Sequence, residues 1–316
     1  MSRRALRLWG TLFLAALAAC PATMAGAATP SHAPAATAGI QTAAARRPAT
    51  GTRHRRSRAR RAPPGGVVWA RNAIVVDPAT GEVLYQKNSA AAEPCASLTK
   101  MMTALVLLEQ KPDMDRVVEV TQAELSGGGH TQLRRGEQVR IGDLLHMSLM
   151  CSDNVATRVL ARESGLAPDD FLARMNRKAV ELGLARTRFV EFTGLDERNV
   201  STAADIATLL HTAAANETIQ EISTTRSYDF RSLSAKNRTR LHHIGTTNRL
   251  LGRYDIRGGK TGFIQEAGYC FATWIHTDSR DMIAVVMGAP TNATRFADVV
   301  RLVQHTSTQG VAPGGL

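Results

Sequence analysis

From Val67 onward, apolar and polar positions fall into blocks whose spacing predicts a succession of strands and helices. VVWARNAIVVD and GEVLYQKN read as two strands joined at Asp77-Pro78-Ala79-Thr80-Gly81, where Pro and Gly occupy turn positions. Ser97 to Glu109 (SLTKMMTALVLLE) is apolar and uninterrupted, which predicts a buried helix. Ile141–Met150 and Asn154–Glu163 are helical stretches meeting around Cys151-Ser152-Asp153. Pro168 starts a helix that runs to Leu182 and is stopped by Gly183. Ser201 or Thr202 caps another through Ala214, with Asp205 in its first turn. After Lys260 come two strand-like runs, Gly268–His276 and Met282–Met287, turning at Asp278-Ser279-Arg280-Asp281, and an amphipathic helix from about Thr294 to His305. No internal repeat is visible. The order predicts an α+β fold, an antiparallel sheet flanked by helices with a helical subdomain inserted.

The N-terminus follows a different pattern. Arg3, Arg4 and Arg7 precede the apolar run Leu8–Ala19, and Ala25-Gly26-Ala27 fits a small-x-small cleavage site, so residues 1–27 read as a signal peptide. Leu17-Ala18-Ala19-Cys20 also resembles a lipoprotein box, which offers anchoring through Cys20 as the alternative. Residues 28–66 are rich in Ala, Thr, Pro and Arg and contain no Trp, Phe or Tyr, which predicts a disordered linker before a domain spanning 67–316. An exported chain places the activity in a bacterial periplasm.

Charge at first suggests nucleic acid, since the chain carries a net +12. Eleven Arg and no acidic residue lie within 1–66, leaving 28 basic against 27 acidic residues for the rest, so the folded part is close to neutral and a nucleic-acid-binding domain loses its support. RHRRSRARR (53–61) reads as a solvated linker or as a weak contact with anionic membrane or wall polymer. Cleavage would leave Cys95, Cys151 and Cys270, an odd number that implies no disulfide framework. No Cys-x-x-Cys occurs, and His242-His243 lack a third ligand nearby, so neither metal nor other cofactor is expected.

Candidate chemistry begins at Ser97-Leu98-Thr99-Lys100, which sets a hydroxyl and an amine on one face of a helix N-terminus. A lysine serves as base for serine once burial and a nearby cation, here Lys260, lower its pKa. On this motif alone a lysine snorkelling from a core helix explains the pattern equally well. Ser152-Asp153-Asn154 can project a second hydroxyl and an amide into a cleft. In Lys260-Thr261-Gly262 a cation and a hydroxyl can grip a carboxylate, while Gly262 lets an extended ligand approach a strand edge. The three triplets in this order belong to serine β-lactamases and penicillin-binding proteins.

Over about Ala70 to His305 the sequence resembles the low-molecular-mass penicillin-binding proteins, serine DD-carboxypeptidases and DD-endopeptidases with a β-lactamase/transpeptidase-like fold. The resemblance runs through PCASLTKMMTALVLLE, GEQVRIGDLLHMSLMCSDNVAT, TRFVEFTGLDERNVSTAADIATLL, TTNRLL and KTGFIQEAGYCF. FVEFTGL…NVSTAADI and ISTTR look most like the endopeptidase branch of penicillin-binding protein 7 type. The resemblance implies Ser97 as the acylated nucleophile, Lys100 as its base and Ser152 as proton relay to the leaving amine. It implies that Asn154 holds the substrate amide and that Lys260 and Thr261 bind a carboxylate. The N–H groups of Ser97 and Phe263 would form the oxyanion hole. The partners implied are peptidoglycan stem peptides, with β-lactams as covalent inhibitors.

Cys95 and Cys151 stand where Ile and Ser are expected, and Asp153 fills a variable position. The two thiols either sensitise the site to oxidation or are buried small residues. A class A β-lactamase would need a glutamate between the second and third triplets, for which Glu191 and Glu197 are the candidates, but their surroundings follow the peptidase pattern. A silent wall-binding module is the non-enzymatic alternative. Only 54 residues follow Gly262, too few for the extra C-terminal domain of membrane-bound carboxypeptidases, and this adds to the expectation of cross-link cleavage.

Overall fold

The computed structural model describes residues 66–309 apart from Ala235, Asn237 and Ser279. The signal peptide, Cys20 and the Arg-rich linker lie outside the described residues.

The chain opens with a hairpin, β1 (Asn72–Val76) and β2 (Val83–Lys87), closed by the turn at Asp77–Gly81. Its carboxylate explains that turn: Asp77 Oδ1 accepts from the N–H of Ala79 (2.8 Å) and of Thr80 (3.2 Å). The strand starts five residues later than predicted, because Trp69 and Ala70 spend their N–H groups on the Asp298 carboxylate (3.0 and 2.8 Å) and not on a neighbouring strand.

Late in the chain come β9 (Asp255–Ile264), β10 (Gly268–His276) and β11 (Asp281–Ala289). They join the first hairpin in an antiparallel sheet ordered β2-β1-β11-β10-β9. Both faces of this sheet are covered, so β11 reads as an unbroken apolar run. Ala73 and Val75 of β1, with Met282, Ala284 and Val286 of β11, face the helix α8 (Asn292–Gln309) and its Phe296, Val299 and Leu302. The alternate residues Ile74, Ile283, Val285 and Met287 face the larger core on the other side.

That core is built by the inserted helical region. A 3₁₀ turn (Ala96–Leu98) leads into α1 (Thr99–Glu109), so the single helix predicted from Ser97 is two elements. A four-residue helix, α2 (Gln122–Leu125), follows. The predicted helix 141–150 is α3 (Ile141–His146) followed by a wider π-type turn, Met147–Cys151. Next come α4 (Asn154–Arg162) and α5 (Pro168–Glu181), the latter ended by Gly183 at φ +72°. Thr202 is the cap of α6 (Ala203–Ala214), its side chain accepting from Asp205 N–H, and Asn216 caps α7 (Glu217–Thr224).

Two further sheets were not foreseen. β3 (Glu93–Pro94) pairs with β6 (Val200–Ser201) just before the 3₁₀ turn. β4 (Val117–Glu119), β5 (Gln138–Arg140), β7 (Ser227–Leu233) and β8 (Thr239–Gly245) form a four-stranded antiparallel sheet at the helical end. The arrangement is α+β throughout. The site falls where the free edge of β9, the outermost strand of the main sheet, meets the helical region.

Candidate active site

Ser97 and Lys100 stand one turn apart across the junction of the 3₁₀ turn and α1, the first nearly buried and the second completely. Lys100 Nζ donates to Ser97 Oγ (2.9 Å), to Asn154 Oδ1 (2.7 Å) and to the Thr193 carbonyl (2.6 Å). These three acceptors use the whole donor capacity of an ammonium. Burial nevertheless brings the Lys100 pKa down to about 7, while the charges of Glu191 and Asp153 pull it back upward. The amine is therefore poised to change protonation near neutrality, 2.9 Å from the serine oxygen.

The peptide entering Ser97 is held on two sides. Ala96 has φ +47°, a left-handed conformation that is strained for a residue with a Cβ. Gly194, at φ +85°, packs so tightly that a Cβ there would lie 1.9 Å from the Ala96 carbonyl oxygen. On the opposite side Gly262 of β9 approaches the same turn: a Cβ would be 3.1 Å from the Ser97 nitrogen. Gly262 thus does more than leave room for a ligand; it lets the strand lie against the serine.

Ser152 lies between the π-type turn and α4 at φ +64°. Its hydroxyl is half-buried and makes no hydrogen bond to a described residue, so of the second triplet only Asn154 touches Lys100 directly. Asn154 Nδ2 donates to the Gly128 carbonyl (3.0 Å), which fixes the orientation of the amide. Asp153 is the cap of α4: Oδ1 accepts from Ala156 N–H (2.9 Å) and Oδ2 from the Thr131 hydroxyl (2.7 Å).

Lys260 is almost completely buried on β9, and its amine donates to the Thr261 carbonyl at 3.0 Å. Burial and the charge of Lys100 hold its pKa well below the ordinary lysine range. Burial is the main cause at both lysines, and their mutual repulsion disfavours the doubly charged pair. The Thr261 hydroxyl meets that of Thr247 at 2.6 Å, and Thr247 donates through both N–H (2.9 Å) and Oγ1 (3.1 Å) to the Met150 carbonyl. A residue not singled out in the sequence therefore ties the third triplet to the turn carrying the second.

A second residue not singled out in the sequence lies behind the site. Arg295 of α8 is buried, donates to the carbonyls of Gly262 (2.9 Å) and Cys270 (3.3 Å), and lies over the Tyr269 ring. It makes no ion pair with a carboxylate of a described residue, and burial lowers its pKa to about 10. Arg295 thus sets a buried guanidinium close to Lys260 at the edge of β9, where an anion would be favoured. Phe263 projects outward, half-exposed, stacked on Tyr269 with ring centroids 4.2 Å apart.

Cys95 and Cys270 are buried, and Cys151 partly so. Burial pushes the Cys95 thiol up to about 12 and those of Cys151 and Cys270 up to about 11, which suppresses the reactive thiolate. The β-lactamase glutamates fail the geometry. Glu197 is exposed and Glu191 is bonded to its own loop, and neither hydrogen-bonds to Ser97 or Lys100.

Comparison with known proteins identifies the family and the fold. The family model for D-alanyl-D-alanine carboxypeptidase, peptidase family S11, matches residues 58–291. The D-alanyl-D-alanine endopeptidase of Pseudomonas aeruginosa is 35% identical over 241 residues, covering 75% of this chain and 77% of that protein. The endopeptidase of Escherichia coli K12 is also 35% identical, with 77% and 78% covered. Among solved structures, the Streptomyces K15 DD-transpeptidase superposes with a TM-score of 0.72 at 26% identity, over 76% of this chain and 98% of that one. Penicillin-binding protein D2 of Listeria monocytogenes, in its cefotaxime-bound form, gives a TM-score of 0.63 at 28% identity, covering 77% and 99%. The chain belongs to the D-alanyl-D-alanine carboxypeptidase family of serine peptidases, S11.

Proposed function

We propose that this enzyme is an exported, periplasmic serine DD-peptidase that cleaves D-Ala-containing peptidoglycan cross-links through an acyl-enzyme on Ser97. Removal of terminal D-Ala from pentapeptides is the lesser activity. The observation that carries the reading is the Lys100 amine, buried, with a pKa near 7 and 2.9 Å from Ser97 Oγ.

In its neutral form Lys100 accepts the Ser97 proton as Oγ attacks the carbonyl of the D-Ala residue. Negative charge developing on that oxygen is received by the N–H groups of Ser97 and Phe263. The proton passes through Ser152 to the departing amine, and the C–N bond breaks to leave an ester on Ser97. Water activated by the same lysine then hydrolyses the ester and restores the serine. Asn154 orients Lys100 and meets the substrate amide. Lys260, Thr261 and the Arg295 charge behind them favour the carboxylate on the D-configured centre of the leaving group. β-Lactams enter by the same attack and remain as stable esters. The Arg-rich segment 53–61 adds a weak contact with anionic membrane or wall polymer.

The choice of bond is supported by the two relatives at 35% identity, both named endopeptidases. Purified enzyme offered cross-linked dimeric muropeptides and monomeric pentapeptides side by side should convert dimers to monomers. Release of D-Ala from pentapeptides with dimers left intact would overturn the choice of bond and leave the family assignment standing.

A further inference from the structure

The segment Glu191–Leu195 belongs to no helix or strand, yet it supplies Lys100 with its shortest acceptor, the Thr193 carbonyl at 2.6 Å. One side chain sets the shape of this loop. The Glu191 carboxylate accepts from the N–H of Thr193 (2.6 Å), of Gly194 and of Leu195 (3.1 Å), from the Thr193 hydroxyl (2.6 Å) and from Asn199 Nδ2 (2.9 Å). Asn199, fully buried, also donates to the Glu191 carbonyl (3.0 Å) and to Thr99 Oγ1 (3.2 Å), which joins the loop to α1. Thr103 of α1 adds a bond to the Phe192 carbonyl at 2.6 Å. The result places Gly194 against the Ala96–Ser97 peptide and Thr193 against the amine.

We propose that Glu191 is a positioning residue for acylation, whose carboxylate gathers the donors of its loop so that Thr193 holds Lys100 and Gly194 seats the peptide entering Ser97. The inference rests on the reading of Lys100 as the base. Glu191 has a second effect through its charge. The groups facing Lys100 are Glu191, Asp153 and Cys151, which favour the ammonium, and Arg158, which opposes it, with Lys260 across the cleft on β9. Removing the Glu191 charge therefore favours the neutral amine, and the rise of acylation with pH should move to lower pH.

The test is the acylation rate constant at saturating penicillin, followed across pH for the wild type, Glu191→Gln and Glu191→Asp, with each melting profile recorded. Glu191→Gln should acylate about 10²-fold more slowly, the scale of a misplaced catalytic group, with its acid limb shifted to lower pH. Glu191→Asp, which keeps the charge on a shorter arm, should be slowed with its limb at the wild-type position. A wild-type rate in Glu191→Gln, or a slowed rate with an unmoved limb, overturns the proposal; the second outcome leaves Glu191 a purely structural role. Should Glu191→Gln not fold, Thr193→Val removes one donor to the carboxylate, and a wild-type rate in that variant overturns it instead. Lys100→Arg measured alongside separates the two levels: full acylation there defeats the assignment of the base, whereas loss there with normal Glu191→Gln defeats only the role of Glu191.

Discussion

An ammonium with three acceptors ordinarily keeps its proton, but at Lys100 burial outweighs the charges of Glu191 and Asp153 and brings the pKa down to about 7. A pKa near 7 is what the proposed role as base requires, since a lysine held fully charged cannot take the proton of Ser97. Two consequences follow at this scale. Acylation by penicillin should rise with pH through about 7, as the amine loses its proton. Lys100→Arg should fold with a normal melting profile and acylate about 10²–10⁴-fold more slowly, because a guanidinium does not deprotonate in this range. Near-normal acylation in that variant would assign the base elsewhere. The neighbouring cysteines illustrate the converse: burial, helped at Cys151 by the charge of Asp153, raises the thiol pKa and disfavours the thiolate.

At the scale of elements, what was legible in the sequence tracks the strength of the apolar pattern. α1, α5, β10 and β11 carry long apolar runs or sharp caps and stood out. β9 did not, because Gly258-Gly259-Lys260-Thr261-Gly262 has glycines and polar residues where a strand usually has branched ones, although the site requires an extended edge there. β7 and β8 alternate in burial, but their inward positions are Phe230, Ser232, His242 and Ile244, only half of them apolar. The polar half belongs to one cluster. Glu137, buried just before β5, accepts from Ser232 Oγ (2.5 Å), Arg240 (2.9 Å) and His242. β5 meets β7 at the single register pair Gln138 and Leu233, so these side chains do the joining that a backbone ladder would otherwise do. Burial pushes the Glu137 carboxyl up, but the bonds from His242 and Ser232 outweigh it and hold the group below its ordinary value of 4.5. Its stabilising contribution is therefore complete above about pH 4.5 and is lost as pH falls through the lower folded-state value. Glu137→Ala, which leaves the buried Ser232 and His242 and the half-buried Arg240 without their shared acceptor, should lower stability at pH 7 by about 1–3 kcal/mol in a denaturant titration. A change below 1 kcal/mol would show that the sheet is held by other contacts.

Across the whole molecule, the site is an assembly of distant segments. Lys100 meets Asn154 54 residues away and Thr193 93 residues away, and Arg295 reaches Gly262 from the last helix. The three triplets were recognisable because each is short and fixed in type. The loop Glu191–Leu195, Thr247 and Arg295 were not, since their contribution exists only once the helical region closes on the edge of β9. FVEFTGL and TTNRLL stood in the sequence as marks of a resemblance, and nothing local in them said which carbonyl or hydroxyl would be used. The claim joining these levels is that the fold delivers a nucleophilic Ser97 to an acyl donor. Mass spectrometry of the penicillin-treated enzyme after proteolysis tests it most directly. The expected result is a penicilloyl ester on the peptide containing Ser97, absent in Ser97→Ala; an adduct on any other residue, or normal labelling of Ser97→Ala, would contradict it.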